Sequence, residues 1–265
     1  MRAAIRTYRV LISVALANMM QYRAVMLLWA AWGIVAPLVS LAVWTAAARG
    51  RSLAGFDHAE LAGYFLVTMV VSHLTTAWDM EVFSFEVKSG RLSPRLLRPI
   101  LPVFQSAADN IAYKICTAVV LLPIWLAIGL VIRPALHLTP ERALWLVPAV
   151  GLAAGLAFVW GYCVALIAFW TTNIRAINQL YWTGMTFLAG RLAPLALLPP
   201  VLRAFSWYLP FRWMLSFPVE LALGRFPVAQ IPVGLAWQVL WLTAGIGAFR
   251  LIWAQGIRCY SAVGA

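Results

Sequence analysis

The chain has 265 residues, 64% of them hydrophobic and only 11% charged, with a mean hydropathy of +0.87 and a formal net charge of +12. Soluble domains carry about a quarter charged residues, so this composition excludes a water-soluble fold and indicates a polytopic membrane protein. The positive charge does not point to nucleic acid, because the 20 basic residues are scattered over loop positions and no compact basic domain holds them.

Residues 1–21 differ in kind from the rest of the chain. Arg2, Arg6, Arg9 and Ser13 recur at helical spacing on one face, with Ile5, Tyr8, Ile12 and Met19 on the other. That pattern predicts an amphipathic helix lying in the membrane interface. A cleavable leader is the competing reading, since Ala15-Leu16-Ala17 resembles a cleavage site, but the apolar run before it is short and broken by Ser13.

Beyond residue 21 come continuous apolar runs. A transmembrane barrel needs segments of ~10 residues with alternating polarity, whereas these runs are about twice that length, so the spans are helices. Six are long enough to cross: Val25–Ala48, Leu61–Val82, Ile111–Ile132, Leu144–Trp170, Ile177–Leu198 and Ile231–Trp253. An even number puts both termini on one side. With that side cytoplasmic, twelve Lys and Arg lie inside and seven outside, the sense required by the positive-inside rule. The expectation is an all-α integral membrane protein of one domain, 1–265.

The largest loop on the cytoplasmic side, 84–109, contains "EVKSGRLSPRLLRPI". Ser93 followed by Pro94 reads as a helix cap and first turn, and Pro99 disfavours helix at Arg98. Between them the sequence predicts a very short helix, "PRLLR", preceded by a tight turn at Gly90. Leu96 and Leu97 would form its apolar tip, rimmed by Arg91, Arg95 and Arg98, with Lys88 nearby. Such a knob suits a pocket on a partner protein, and its cations suit anionic lipid headgroups equally well. A further helix is expected from near Val103 into the third span. Asp79, Glu81 and Glu86, at the cytoplasmic end of the second span, are placed to pair with Lys114 or with this basic loop.

The fifth span ends abnormally. Pro194, Pro199, Pro200, Pro210 and Pro218 chop the apolar segment 199–223 into pieces too short to cross. They are expected as re-entrant outer half-helices near Val201–Tyr208 and Phe211–Leu223, packed against protein. Arg191, in the outer half of the fifth span, and Glu220, on the second half-helix, are costly in lipid and are expected to pair with each other, or else to face cargo. Arg212 lies on the same outer segment. His73 has no second ligand at helical spacing and reads as a hydrogen-bonded core residue. Cys116, Cys163 and Cys259 show no CxxC spacing and read as apolar fillers. Most of the Trp residues fall near span ends, as an interfacial belt requires, while Trp78, Tyr181 and Trp182 are candidates to line a path.

Two of these stretches carry a family likeness. "SGRLSPRLLRP" resembles the G-x-L-x-x-x-L-x-R-P pattern of type-2 ABC transporter permeases, the six-span bacterial branch, through Gly90, Leu92, Leu96, Arg98 and Pro99. "LAGRLAPLALLPPVLRAFSWYLPFRWMLSFPVELALG" is similar to that family's later proline pattern through Gly190, Pro194, Pro199, Leu209, Pro210, Phe211, Pro218 and Gly224. The resemblance implies that the loop from Glu86 to Pro99 is a coupling helix docking on an ABC ATP-binding subunit. It also implies that ATP and Mg bind on that subunit, with no cofactor on this chain. Either a second copy (homodimer) or a non-identical permease (heterodimer) would complete the path, in a bacterial inner membrane with both termini cytoplasmic. The chain itself has no GxxxxGK[ST] segment with which to hold nucleotide. A membrane-embedded enzyme would need groupings such as HExxH or GxSxG, and an ion-coupled transporter would need repeat symmetry and mid-membrane acids; neither pattern is present.

Overall fold

The computed structural model describes residues 2–171 and 174–260, with side chains from residue 6 onward. Arg2 and Ile5, both expected on the first helix, therefore have side chains outside those described. The described residues form helices and short connections: α1 (Arg2–Gln21), α2 (Arg23–Ala48), α3 (His58–Thr75), α4 (Asp79–Lys88), α5 (Leu92–Leu96), α6 (Pro102–Ile132) and α7 (Pro140–Leu166). Next in the chain are α8 (Arg175–Leu188), α9 (Pro200–Trp207), α10 (Pro210–Met214), α11 (Ser216–Ala222) and α12 (Ile231–Cys259).

Local chemistry sets many of the boundaries. Asp57 and Glu60 form a reciprocal capping box at the start of α3, each side chain accepting from the other's backbone N–H at 2.7 and 3.0 Å. Thr139 caps α7, and proline opens α6, α7, α9 and α10, where its missing N–H has no partner to lose. Pro37, Pro123 and Pro148 sit inside long helices, a placement that neighbouring helices make tolerable in membranes.

Among the described residues, five helical stretches are long and apolar enough to cross a membrane: α2, α3 with α4, α6, α7 with its 3-10 extension to Phe169, and the stretch Val228–Cys259 that contains α12. The α3–α4 and α7 stretches are the most buried, while α2, α6 and α12 leave most of their apolar surface uncovered, as lipid-facing or partner-facing helices do. The first helix packs on α6 through half-buried Tyr8, Ile12 and Met19 and buried Ala15, leaving Arg6, Arg9 and Ser13 outward. That is the two-faced arrangement its periodicity predicts.

Three segments depart from expectation. The second span is broken: Thr76 is extended (φ −64°, ψ 133°), and α4 restarts after Trp78. The expected fifth span to Leu198 stops at Leu188, because Gly190 takes a left-handed φ of +82° and the chain turns. The expected half-helix Phe211–Leu223 is two pieces, divided at Leu215 (φ −141°, ψ −58°). The other half-helix, α9, lies one residue from its expected start.

Candidate functional site

The stretch from α4 to α6 forms a projection at one end of the bundle. Gly90, at φ +70°, makes the turn out of α4. The short helix begins at Leu92 rather than at a Ser93 cap, and the Ser93 hydroxyl lies 2.9 Å from that of Tyr260, tying the projection to the end of α12. Leu92 is fully buried against a cluster containing Met80, Phe83, Tyr162 and Leu166. Arg95 is not part of a cationic rim. Its Nη1 donates to both Glu86 carboxylate oxygens at 2.6 Å, and its Nη2 donates to Pro102 O at 2.9 Å and Ser106 Oγ at 3.2 Å. This arginine clamps the two ends of the loop together, using a fork that lysine lacks. Leu96 also turns inward, packing on the same apolar cluster, so the apolar tip is Leu97 alone, at 88% exposure. Arg98 donates to Gln105 Oε1 at 3.2 Å, and Arg91 lies 5.2 Å from the centre of the Phe85 ring. Lys88, Arg91, Pro94, Leu97, Arg98 and Pro99 remain on the outer surface.

At the opposite end, α9–α11 pack into the core beside α3, α7 and α12. The pair expected between Arg191 and Glu220 is not formed. Arg212 instead donates to Glu220 Oε2 at 2.6 Å, with the two side chains 6% and 17% exposed, and Ser216 Oγ donates to the other carboxylate oxygen at 2.8 Å. The guanidinium of Arg212 lies 4.2 Å from the centre of the Trp207 ring. Trp207 and Trp237, expected in an interfacial belt, flank buried Trp213 in this same core. Gln238 Nε2, fully buried on α12, donates to Ala149 O and Trp213 O, both at 2.9 Å. Arg225 pairs with Glu60 at 2.7 Å and covers the Phe56 ring, joining the far loop to the start of α3.

Between the two ends lies Arg191. Its Nη2 donates to Thr76 Oγ1 at 2.9 Å, at the break between α3 and α4, and its guanidinium lies 5.4 Å from the Trp182 ring centre. Thr76, just past the end of α3, continues a row at four-residue spacing with Tyr64, Thr68 and Ser72 on that helix, residues that sequence reasoning did not single out although the spacing is a helical signal. Tyr64 donates to Gly190 O at 2.5 Å, so both ends of the row hold the segment 190–191. An arginine at mid-membrane costs at least ~2.5 kcal/mol on insertion scales and therefore requires such partners.

The acids near α4 are divided among neighbours. Glu86 takes Arg95, Asp79 Oδ2 accepts from Asn110 Nδ2 at 3.2 Å, and Glu81 Oε1 accepts from Asn178 Nδ2 at 3.0 Å. Only the first is an ion pair with the basic loop, and Asn178 fastens the start of α8 to this end of the bundle. His73 Nε2 lies 3.2 Å from Thr117 Oγ1, the hydrogen-bonded core role expected of it. Trp78 packs edge-on against Tyr113 at 4.2 Å, and Tyr181 packs on Trp182 and Phe211.

Comparison with curated proteins and with solved structures found no match. A family model described as ABC-2 family transporter protein matches residues 30–264, which takes in the projection, the polar row of α3 and the half-helices. With that match over nearly its whole length, and with its apolar helices, this chain belongs to the ABC-2 family of transporter proteins and is a multi-pass transmembrane permease of an ABC transporter.

Proposed function

We propose that the permease is the membrane half of an exporter driven by ATP hydrolysis on a separate ATP-binding subunit, which docks on the projection around α5. The carrying observation is the form of that projection: one fully presented leucine, Leu97, on a loop made rigid by the Arg95 clamp and anchored by buried Leu92. An exposed apolar side chain on a rigid mount, on a loop that also exposes Lys88, Arg91 and Arg98, suits insertion into a cleft, and the clamp would carry displacement from the loop into α4 and α6 at once. ATP and Mg would be held by the partner. The uncovered faces of α2, α6 and α12 leave room for a second permease, either another copy or a non-identical chain.

In this reading α5 and both termini face the cytoplasm of a bacterial inner membrane. The fifth crossing is α8 with the irregular segment up to Leu198, and α9–α11 are the re-entrant outer helices. Export is the direction that the resemblance to six-span type-2 permeases implies.

The docking assignment is tested by co-purification of the ATP-binding subunit with the permease. Leu97→Asp combined with Arg98→Glu is expected to weaken the complex by about 30-fold or more, the effect of losing a central apolar anchor. Undiminished co-purification with both substitutions in place would remove the assignment. Leu96 is the wrong probe, because it packs inside and its replacement disturbs the fold.

A further inference from the structure

Arg95, Arg212 and Arg225 each reach a carboxylate, whereas Arg191, the arginine at mid-bundle, pairs with none among the described residues. Its position is deep: Thr76, which it touches, is the nineteenth of the 31 residues in the α3–α4 stretch. An ionisable group held at that depth without a counter-charge is the kind of residue that meets a transported solute.

The surroundings are built to receive negative charge. The Nε of Arg191 is buried with no acceptor, and so is the hydroxyl of Ser72, one turn along the row from Thr76. Tyr64 and Thr76 both bond the segment 190–191, so Ser72 and fully buried Thr68 between them face the same side. The Trp182 ring centre lies 5.4 Å from the guanidinium, and Thr76 takes only Nη2, so the fork keeps donors for planar, two-pronged contact with an oxyanion. The carbonyl end of α3 lies alongside, and its partial negative charge gives Arg191 a resting partner weaker than any carboxylate. Arg191 as a whole is half-buried. Beside it on the same stretch of chain, Phe187 and Leu192 are 46% and 39% exposed, and Leu180 on α8 is 73% exposed.

We propose that Arg191, with the hydroxyls of Thr76 and Ser72, recognises the oxyanion head of an amphiphilic cargo, a phosphate or carboxylate group whose apolar tail lies along the exposed flank of α8. This deepens the transport reading and rests on it. On cargo arrival Arg191 exchanges its Thr76 contact for the oxyanion, Thr76 and Ser72 then donate their hydroxyls to the head, and the α3–α4 break is the element freed to move.

The test is equilibrium binding of tritiated dodecyl phosphate to the full chain in phosphatidylcholine nanodiscs, without any ATP-binding subunit. The wild-type chain should bind it saturably, with dodecanol and inorganic phosphate each at least about tenfold weaker competitors. Arg191→Gln should weaken binding by about 30-fold, and Arg191→Lys, which keeps the charge but not the fork, by about three- to tenfold. Should Arg191→Gln fail to fold, Ser72→Ala with Thr76→Val retains the arginine and should weaken binding by about three- to tenfold. The proposal is overturned if the wild-type chain shows no saturable binding, if dodecanol or inorganic phosphate competes equally, or if the folded variants bind as the wild type does. Because the readout uses the permease alone, it stands apart from the docking test: undiminished co-purification of the Leu97→Asp/Arg98→Glu variant would remove the docking assignment and leave this site intact.

Discussion

Glu220 shows how much can depend on which arginine a buried acid finds. Its carboxylate is held by Arg212 on one oxygen and Ser216 on the other, inside a core of Trp207 and Trp213. Replacing one member of such a pair leaves the other charge uncompensated, at a cost of about 3–5 kcal/mol, whereas removing both together is often nearly neutral. Glu220→Gln should therefore lower the thermal midpoint of the detergent-solubilised protein sharply, and adding Arg212→Met should recover more than half of the loss. If the double variant is no better than the single, the pair is not the unit that holds these helices. Depth in the membrane favours Arg191 as the partner when only the sequence is read. Arg212 is not an obvious choice, because eight residues along a continuous helix are about 12 Å apart, too far for a contact. The kink at Leu215 abolishes that separation, and it lies between two ordinary residues, Met214 and Ser216, with no local mark. Arg95 escapes sequence reasoning for a related reason: its charge is legible, but the inward direction depends on where Glu86, Pro102 and Ser106 meet in space.

Among the elements, those begun by capping chemistry are the legible ones. Proline at the first turn announces α6 and α9, and the glycine and prolines of the loop between the second and third spans mark it out. The α3–α4 break carries no such mark, since 72–79 reads "SHLTTAWD" without Gly or Pro. The interruption is held from outside, by Arg191 on the Thr76 hydroxyl and Tyr113 against Trp78, and such tertiary support has no local signature. The start of α3 is the opposite case, fixed by Asp57 and Glu60 within four residues. Asp57→Ala should cost about 0.5–2 kcal/mol, the usual range for a lost cap. It should also loosen the far loop, because Glu60 then holds Arg225 without the box that fixes its backbone. Hydrogen exchange of the amides at 58–61 reads this directly: faster exchange there, with α12 unchanged, is the expected outcome, and unchanged protection at 58–61 would mean that packing, not the cap, starts the helix.

For the molecule as a whole, the sidedness of the projection can be settled without knowing how many times the chain crosses. The α3–α4 stretch of 31 residues is about 46 Å long at ~1.5 Å per residue, enough for one full crossing. Ser52 before it and Ser89 after it are both exposed, and a single crossing puts them on opposite sides whatever α8 does. The α2 helix supplies one crossing before Ser52, which returns α1 to the side of Ser89. The contact between Tyr260 and Ser93 brings the end of α12 to that same side. Under the positive-inside rule Lys88, Arg91 and Arg98 would make it the inner face, as proposed. Of the native thiols, Cys259 is exposed, so it is first replaced by alanine; Cys163 is buried and Cys116 half-buried. In that background a cysteine at Ser89 should react with a membrane-impermeant maleimide only after cells are opened, and one at Ser52 should react in intact spheroplasts. Labelling in the reverse order would place Leu97 outside, beyond the reach of any ATP-binding subunit. Labelling of both positions from one side would mean that α3 and α4 do not cross at all, and the depth assigned to Arg191 would fall with them.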